Sequence, residues 1–257
     1  MNTLKISIVT VVYNAVETIA DCMISVLNQD YTQVEYIIID GGSTDGTLDV
    51  IREHLTDSIK LVSEPDQGIY DAMNKGIALA TGDIVGILNA DDRYESTDVL
   101  TFVAQAFSQK PIDALCTSVI ISKSNEMHKT WRYYNAAQCK LWQFRIGMQP
   151  PHPGFFLKRI RYQEFGTYNP ALKISGDFDL LLRMLYIHKL KAYYTAKVTV
   201  RMRDGGVSNS SMANKMVMNK ENHKALQNNG LFSLLPCIWF KYVFKILQLF
   251  SKPPQST

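Results

Sequence analysis

Short runs of apolar and β-branched residues, separated by stretches with helical periodicity, constrain the fold more than any other feature of this sequence. The runs lie at residues 6–12, 36–39 and 84–88, and continuous runs of this kind are typical of strands buried on both faces of a parallel sheet. Between them, apolar residues recur at helical spacing: Ile19, Met23, Val26 and Leu27; Leu48, Ile51 and Leu55; Met73, Ile77 and Ala80. The alternation predicts an α/β fold with an open, doubly wound, mostly parallel sheet and helices on both faces.

Three polar loops follow the predicted strands, at residues 10–14, 40–47 and 89–92. In an open parallel sheet, ligands bind beyond the carboxyl ends of the strands, so these loops are candidates for a site. The glycines of 40–47 permit a tight turn, although a turn that merely caps the next helix explains this loop equally well. The loop matches neither GxGxxG nor a P-loop, which disfavours an ordinary dinucleotide or ATP site.

Two adjacent carboxylates, Asp91 and Asp92, end the strand at 84–88. Like charges at the end of a buried strand repel each other, and a divalent cation removes the conflict. Mg²⁺ or Mn²⁺ suits carboxylate oxygens and leaves positions open for substrate phosphates. The alternative is a solvated pair in which one carboxylate caps the helix near Thr97.

Four segments carry a family resemblance: SIVT through YN at 7–14, DGGSTDGT at 40–47, SEPDQGIYDAMNKG at 63–76 and LNADD at 88–92. Together they resemble family 2 inverting glycosyltransferases, which have the GT-A fold. The order, spacing and strand-end placement agree over about residues 4–210. The likeness is closest to the branch that serves bacterial exopolysaccharide synthesis, including colanic-acid-type enzymes.

The resemblance implies a donor site and a metal site at named positions. It places the donor sugar nucleotide against Thr10, Asn14, Asp40, Asp66, Asn74 and Asp91. Asp92 is the expected direct ligand of the metal, with Asp91 beside it as a ligand or ribose contact. Three positions depart from the usual family pattern. Val11 stands where many members have a proline, Gly41 where many have a second aspartate that recognises the nucleobase of the donor, and Gly176 where a glutamate is common.

The resemblance also implies a general base at the start of a helix predicted over 177–188, with Asp177 as the first choice and Asp179 in reserve. Inversion requires a carboxylate that accepts the proton of the attacking hydroxyl. The alternative for these residues is an N-cap at Asp177 and an ion pair between Asp179 and Arg183. Arg203 is a candidate for stabilising the departing diphosphate.

His152 and a group of aromatic residues are weaker candidates for the acceptor side. Packing explains His152 slightly better than contact with the acceptor. Sugar rings stack on aromatic side chains, but most aromatic clusters belong to a core. The aromatic candidates are Trp131, Tyr133, Tyr134, Trp142 and Phe144.

The C-terminal stretch 231–250 is rich in Leu, Ile, Phe and Trp, and Lys241 and Lys245 fall on one helical stripe. Two central lysines disfavour a membrane span. The pattern is typical of a helix lying in the plane of an anionic membrane surface, with the lysines toward the headgroups. A helix packed on the protein's own core or on a second subunit is the alternative, which leaves a homo-oligomer open.

The predicted organisation has three parts: a donor and metal half at 1–120, an acceptor half of the same domain at 121–210, and a helical segment at 211–257. The four cysteines form no metal or disulfide pattern and the N-terminus has no signal-peptide pattern, so we expect a cytoplasmic protein, at the inner face of the membrane if the C-terminal helix binds there. The net charge of +3 is too small to indicate a nucleic-acid partner.

The predicted activity is transfer of a sugar from a UDP- or GDP-sugar to a hydroxyl of a polyprenyl-diphosphate-linked or saccharide acceptor, in surface polysaccharide synthesis. Two other classes of function are alternatives. A sugar-nucleotide pyrophosphorylase needs a glycine-rich, basic loop after the first strand, which 10–14 does not supply. A catalytically inactive nucleotide-sugar sensor would bind the donor without turnover, and the retained Asp91, Asp92 and Asp177 disfavour it.

Overall fold

The computed structural model of the chain describes residues 3–124, 126–205, 211–239 and 241. The strands are β1 (Ile6–Val12), β2 (Val34–Asp40), β3 (Ile59–Ser63), β4 (Ile84–Asn89), β5 (Arg93–Tyr94), β6 (Ala114–Ser122), β7 (Arg132–Tyr134), β8 (Phe155–Lys158) and β9 (Ala192–Arg203). The α-helices are α1 (Ile19–Leu27), α2 (Thr47–Glu53), α3 (Ile69–Leu79), α4 (Val99–Gln109), α5 (Arg159–Phe165), α6 (Gly176–Leu181), α7 (Met212–Asn228) and α8 (Leu235–Trp239).

A single sheet runs through the described residues in the order β3-β2-β1-β4-β8-β6-β9-β5, with β7 paired to β6. Strands β3, β2, β1 and β4 are parallel. Strand β8 joins them antiparallel and is itself antiparallel to β6, which is parallel to β9. The expected doubly wound α/β fold is confirmed, with its parallel arrangement concentrated in the first half. The predicted boundary at residue 120 falls inside β6, so the division into halves stays a prediction about function.

Both faces of the parallel half are covered, as its continuous apolar strands require. Successive side chains of β1 alternate between two cores: Val9 and Val11 pack with α3, whereas Ile6 and Ile8 pack with α1 and α4. Helix α3 lies especially close to the sheet, because a Cβ on Gly76 would overlap the side chain of Val9. This packing fixes the strand ends from which the polar loops emerge.

The helix predicted over 177–188 is present as α6, which continues into a wider π-helical turn at Leu182–Ile187. Its apolar side chains Phe178, Leu180 and Leu181 are buried in the same core as α3. The first residues of α6 are therefore held against the N-terminal half of the molecule.

The C-terminal stretch packs on the protein where the structure describes it, at residues 231–239 and 241. Ile238 of α8 is buried against Gly147, and the Nζ atom of Lys241 lies beside the same glycine. Lys241 is only 1% exposed, so the expectation that it faces the headgroups of a membrane surface is wrong, and the alternative of packing on the protein's own core holds at this residue. Lys245 and the rest of 242–250 lie outside the described residues. Within the described part of the chain, no helix combines the length and apolar character needed to cross a membrane.

Candidate active site

The loop 40–47 is folded around Asp40, the last residue of β2. Its buried carboxylate accepts hydrogen bonds from the backbone N–H groups of Gly42 at 3.1 Å and Ser43 at 3.2 Å, and from Ser63 Oγ at 2.7 Å. Asn14 holds the same loop from the segment after β1, because its Oδ1 accepts a hydrogen bond from the backbone N–H of Thr44 at 2.9 Å. Asp40 and Asn14 therefore shape the loop in which the donor site is predicted.

Asp66 fills the space beside Gly41. A Cβ on Gly41 would overlap Asp66 Oδ2, and the Tyr13 ring lies 3.5 Å from the same point. Asp66 Oδ1 accepts from Gly68 N at 2.8 Å, which fixes the carboxylate there. The Asp66 carboxylate thus occupies the space that a side chain at position 41 would fill. Sequence reasoning missed Tyr13, whose ring is 63% exposed beside this carboxylate.

Two predicted donor contacts, Thr10 and Asn74, make hydrogen bonds within the protein. Thr10 is completely buried, and its hydroxyl lies 3.1 Å from Tyr36 Oη and near Cys22 Sγ, between β1 and α1. Asn74 exchanges two 2.9 Å hydrogen bonds with the backbone of Tyr168. The complete burial of the Thr10 side chain contradicts the expected direct contact with the donor. Asn74 is only partly buried, so its contact with the donor stays a prediction.

The turn after β4 holds Asp91 and Asp92 in a buried setting. Asp92 is 2% exposed, and neither carboxylate oxygen has a hydrogen-bond partner of normal geometry among the described residues. Burial raises the pKa of Asp92 well above its usual range, and the charge of Asp91 raises it further. Burial also raises the pKa of Asp91, whereas the charge of Arg203 opposes this shift.

These carboxylates fit a divalent cation. Buried, unpartnered carboxylate oxygens are costly, and they are the ligands that Mg²⁺ and Mn²⁺ prefer. Among the described residues, no three His, Cys, Asp or Glu side chains cluster as a complete metal site. One or two carboxylates completed by substrate phosphates and water form the usual Mg²⁺ arrangement in nucleotide sites. Arg203 lies near enough to act on both carboxylates electrostatically, while its Nη2 donates to Asp21 at 2.7 Å.

Asp177 begins α6 and is held from two directions. The N–H of Phe178 donates to Oδ1 at 2.8 Å, and Gln149 Nε2 donates to Oδ2 at 2.6 Å. The preceding Gly176 faces Tyr70, because an added Cβ would lie 2.7 Å from the Tyr70 ring. A side chain at position 176, such as the glutamate that the family resemblance leads one to expect, would overlap this ring. Sequence reasoning missed Gln149 and Tyr70, which come next to Asp177 only through folding.

The loop that leads into Asp177 is clamped by helix α7. Glu221 accepts hydrogen bonds from the backbone N–H groups of Lys173, Ile174 and Ser175, each at 2.9 Å. Tyr70 adds a further bond, since its hydroxyl donates to Ile174 O at 2.6 Å. The start of α6 is therefore anchored by groups that do not touch the Asp177 carboxylate.

Asp179 forms the ion pair that is the alternative to a catalytic role. Its Oδ2 accepts from Arg183 Nε at 2.9 Å, and Arg183 also donates to the carbonyls of Phe165 and Thr167. Asp179 is buried. The structure favours the ion pair with Arg183 for Asp179, and its reserve assignment as base or acceptor contact stays a prediction.

His152 is buried and lies near enough to Asp177 to feel its charge. Its Nε2 lies 2.6 Å from the hydroxyl of Tyr168, whose ring stacks on Tyr70 at 5.6 Å. Burial lowers the pKa of His152, and the charge of Asp177 opposes that shift. The structure favours the packing role for His152. Of the aromatic candidates, Tyr133 and Phe144 are core residues, whereas Trp131 and Trp142 are exposed.

One short segment connects the two halves of the site. Asp66 lies against Gly41 in the donor loop, and Tyr70, four positions later, lies against Gly176 beside Asp177. The predicted donor loop and the predicted base are thus joined through residues 66–70.

The architecture is that of solved GT-A glycosyltransferases. S. aureus TarS 1-349 in complex with UDP-GlcNAc superimposes with a TM-score of 0.65 at 17% identity, covering 88% of this chain and 67% of that one. Mannosyltransferase PcManGT from Pyrobaculum calidifontis, in complex with GDP-Man and Mn²⁺, gives a TM-score of 0.60 at 16% identity, covering 96% and 81%. At these identities the likeness establishes the fold.

The sequence itself establishes the family. The model for glycosyl transferase family 2 matches residues 7–170. A PGL/p-HBAD biosynthesis glycosyltransferase from Mycobacterium bovis is 30% identical over 209 residues, which cover 79% of each chain. The protein belongs to glycosyl transferase family 2. The matched region contains Asp40, Asp66 and the Asp91-Asp92 turn and ends before Asp177.

Proposed function

We propose that this glycosyltransferase moves a sugar from a UDP- or GDP-sugar to an acceptor hydroxyl with inversion and with the help of a divalent cation. The observation that carries the proposal is a contrast between two carboxylates. Asp92 is buried and has no hydrogen-bond partner of normal geometry among the described residues, whereas Asp177 is partly exposed and oriented by two donors. An unpartnered carboxylate suits a cation, and an oriented one suits proton transfer.

Asp92, with Asp91, would hold Mg²⁺ or Mn²⁺. A cation bound there neutralises the charge of the departing diphosphate. The bound ligands of the structural neighbours support this donor class, since TarS was solved with UDP-GlcNAc and PcManGT with GDP-Man and Mn²⁺. The polar loop around Asn14 and Asp66 and the exposed Tyr13 ring form the proposed nucleoside end of the site.

Asp177 is the proposed general base. The acceptor oxygen attacks the anomeric carbon as the bond from that carbon to the diphosphate oxygen breaks, and Asp177 takes up the hydroxyl proton. The helix start holds the carboxylate through Phe178 N–H, so little reorganisation is needed during the reaction. Arg203 adds positive charge near the acidic pair, where the leaving diphosphate is expected.

The proposed acceptor is a polyprenyl-diphosphate-linked or other saccharide of a surface polysaccharide, used at the inner face of the cytoplasmic membrane. Exposed apolar side chains support a peripheral membrane contact: Leu141, Trp142, Phe232, Leu234, Leu235 and Trp239. Two adjoining segments carry them, since Arg145 Nη2 donates to Phe232 O at 2.7 Å. Aromatic residues with neighbouring basic groups are typical of membrane surfaces.

The membrane contact is tested by sedimentation with vesicles of anionic or neutral phospholipid. We expect the double variant Trp142→Ser/Trp239→Ser to lose binding to anionic vesicles. The control Met212→Ser/Met216→Ser, which removes exposed apolar groups from α7, is expected to bind like the wild type. Equal binding by both variants would remove this contact from the proposal.

The activity is tested by incubating the protein with UDP- and GDP-sugars, Mn²⁺ or Mg²⁺ and a membrane-lipid extract, and measuring released nucleotide. Metal-dependent release that is lost in Asp92→Ala and Asp177→Ala is the expected result, and the anomeric configuration of the product shows whether transfer inverts. Donor binding without release from any acceptor fraction would favour the inactive sensor instead.

A further inference from the structure

Gln149 makes a direct contact with the proposed base that sequence reasoning did not anticipate. Its Nε2 donates to Asp177 Oδ2 at 2.6 Å. The backbone of Gln149 is held separately, because the hydroxyl of Tyr134 donates to its carbonyl oxygen. Pro150 and Pro151 follow directly and restrict the chain on the other side. The amide is therefore presented to Asp177 by a well-anchored stretch of backbone.

The other end of the same amide has no partner. Gln149 Oε1 is buried and accepts no hydrogen bond among the described residues. A buried, unpaired acceptor costs free energy, and turning the amide over would bring Oε1 against the carboxylate of Asp177, where two oxygens repel. The orientation in which Nε2 faces Asp177 is therefore the favoured one, and among the described residues this bond is the side-chain hydrogen bond that Gln149 makes.

This bond is not needed to hold the helix. The loop before α6 is fixed by Glu221 through three backbone N–H groups and by Tyr70 through Ile174 O. Those anchors restrain the backbone but leave the Asp177 side chain free to rotate. The Gln149 bond restrains the second carboxylate oxygen, while Phe178 N–H restrains the first.

We propose that Gln149 is a positioning residue that holds the Asp177 carboxylate in the orientation needed to accept the proton of the acceptor hydroxyl. This inference rests on the proposed role of Asp177 as general base. A base must lie within hydrogen-bond reach of the proton that it removes, and a displacement of about 1 Å costs on the order of 100-fold in rate. Gln149 therefore acts on the rate of transfer and not on the affinity for the donor.

The test is the variant Gln149→Met, which keeps the unbranched shape and removes the N–H donor. We expect kcat to fall about 10- to 100-fold per folded molecule, with the KM and the directly measured Kd for the donor unchanged within about twofold. Gln149→Asn is the second variant, because its shorter amide loses reach while it stays polar. Wild-type kcat in either variant would overturn the inference.

Gln143→Met is the matched control from the same stretch of chain. The Gln143 amide accepts a hydrogen bond from the backbone N–H of Lys140 and makes no contact with Asp177. We expect this variant to keep kcat even where its melting temperature falls. A loss of kcat in Gln143→Met equal to that in Gln149→Met would show that general loosening of the segment is the cause, and would overturn the inference.

The double variant Gln149→Met/Asp177→Asn separates this inference from the function on which it rests. If Gln149 acts through Asp177, adding Gln149→Met to Asp177→Asn leaves the residual rate unchanged within about twofold, because coupled residues are not additive. An active Asp177→Asn variant would overturn the proposed base itself. An inactive Asp177→Asn variant beside a fully active Gln149→Met variant would overturn only the role of Gln149.

Discussion

The two acidic regions of the site are built in opposite ways. The turn after β4 buries Asp92 and leaves both carboxylate oxygens without partners among the described residues, whereas the start of α6 gives Asp177 a donor for each oxygen. The carboxylate oxygens of Asp92 lack partners, and a bound cation would supply one. The second region is complete without any ligand. The comparison supports the proposal that Asp92 holds a cation and that Asp177 accepts a proton, because the first carboxylate is buried and unpartnered and the second is oriented by two donors.

Asp177→Asn is expected to have the largest effect. Removing a general base lowers kcat by about 10²- to 10⁴-fold, while donor binding and cation binding stay unchanged because the carboxylate serves neither. Steady-state kinetics and calorimetric titration with the donor measure the two quantities. If a lower affinity for the donor accounted for all of the lost activity, Asp177 would belong to the donor site, and the proposed difference in role between Asp92 and Asp177 would be wrong.

Asp92→Asn is expected to lower kcat/KM by about 10²- to 10³-fold, as loss of a charge-stabilising group does at other active sites. The effect of Mn²⁺ on the melting temperature then distinguishes the role of Asp92 from that of Asp177. Mn²⁺ should raise the melting temperature of the wild type and of Asp177→Asn but not that of Asp92→Asn, since a ligand stabilises only the state that binds it. Without metal, the Asp92→Asn variant should be at least as stable as the wild type, because a buried unpaired charge is removed. An equal metal shift in all three proteins contradicts the assignment.

Asp179→Asn tests whether the carboxylate next to the base is structural. Its ion pair with Arg183 is buried, and its loss should cost about 2 kcal/mol of unfolding free energy. The kcat per folded molecule should stay within about twofold of the wild type, because Asp179 is turned away toward Arg183. Urea unfolding and kinetics on the same preparation decide the matter. Full stability combined with lost activity would make Asp179 a candidate base again.

The free energy of unfolding should fall as the pH is lowered, because His152 is buried. Burial lowers the pKa of His152 in the folded protein, so the unfolded chain takes up a proton that the native state does not. The stability contribution is therefore present above the unfolded pKa, about 6.5, and is lost as the pH falls through the folded pKa. Relative to His152→Gln, the wild type should lose more unfolding free energy as the pH falls below about 6.5. If the melting temperatures of both proteins fell by the same amount as the pH was lowered, the lowered pKa of His152 would be refuted.

Local sequence patterns predicted the elements and the loops of this protein well. The runs at 6–12 and 84–88 became β1 and β4, and the helical spacing from Ile19 to Leu27 became α1. Strand-end loops and adjacent carboxylates are local features, so the turn at Asp91 and Asp92 could be recognised from the order of the residues alone. The position of a loop on a sheet follows from the element that precedes it.

The direction of individual side chains could not be predicted in the same way. Thr10 lies on the predicted strand end, but its hydroxyl points to Tyr36 because alternate residues of a strand face opposite sides. Gln149 and Asp177 are 28 positions apart and meet only through tertiary packing. Lys241 is buried beside Gly147, although the helical pattern alone predicted contact with membrane headgroups. These outcomes depend on which surfaces meet.

A side chain at position 41 would overlap Asp66, so the two positions are coupled in any attempt to change the choice of donor. The space beside the backbone of residue 41 holds one carboxylate, and it now comes from the later loop. A side chain introduced at residue 41 alone would displace the Asp66 carboxylate, whereas exchange of the two residues keeps a single acid in the space. Gly41→Asp combined with Asp66→Gly is the smallest such exchange, and it moves the acid to the other loop while keeping its charge.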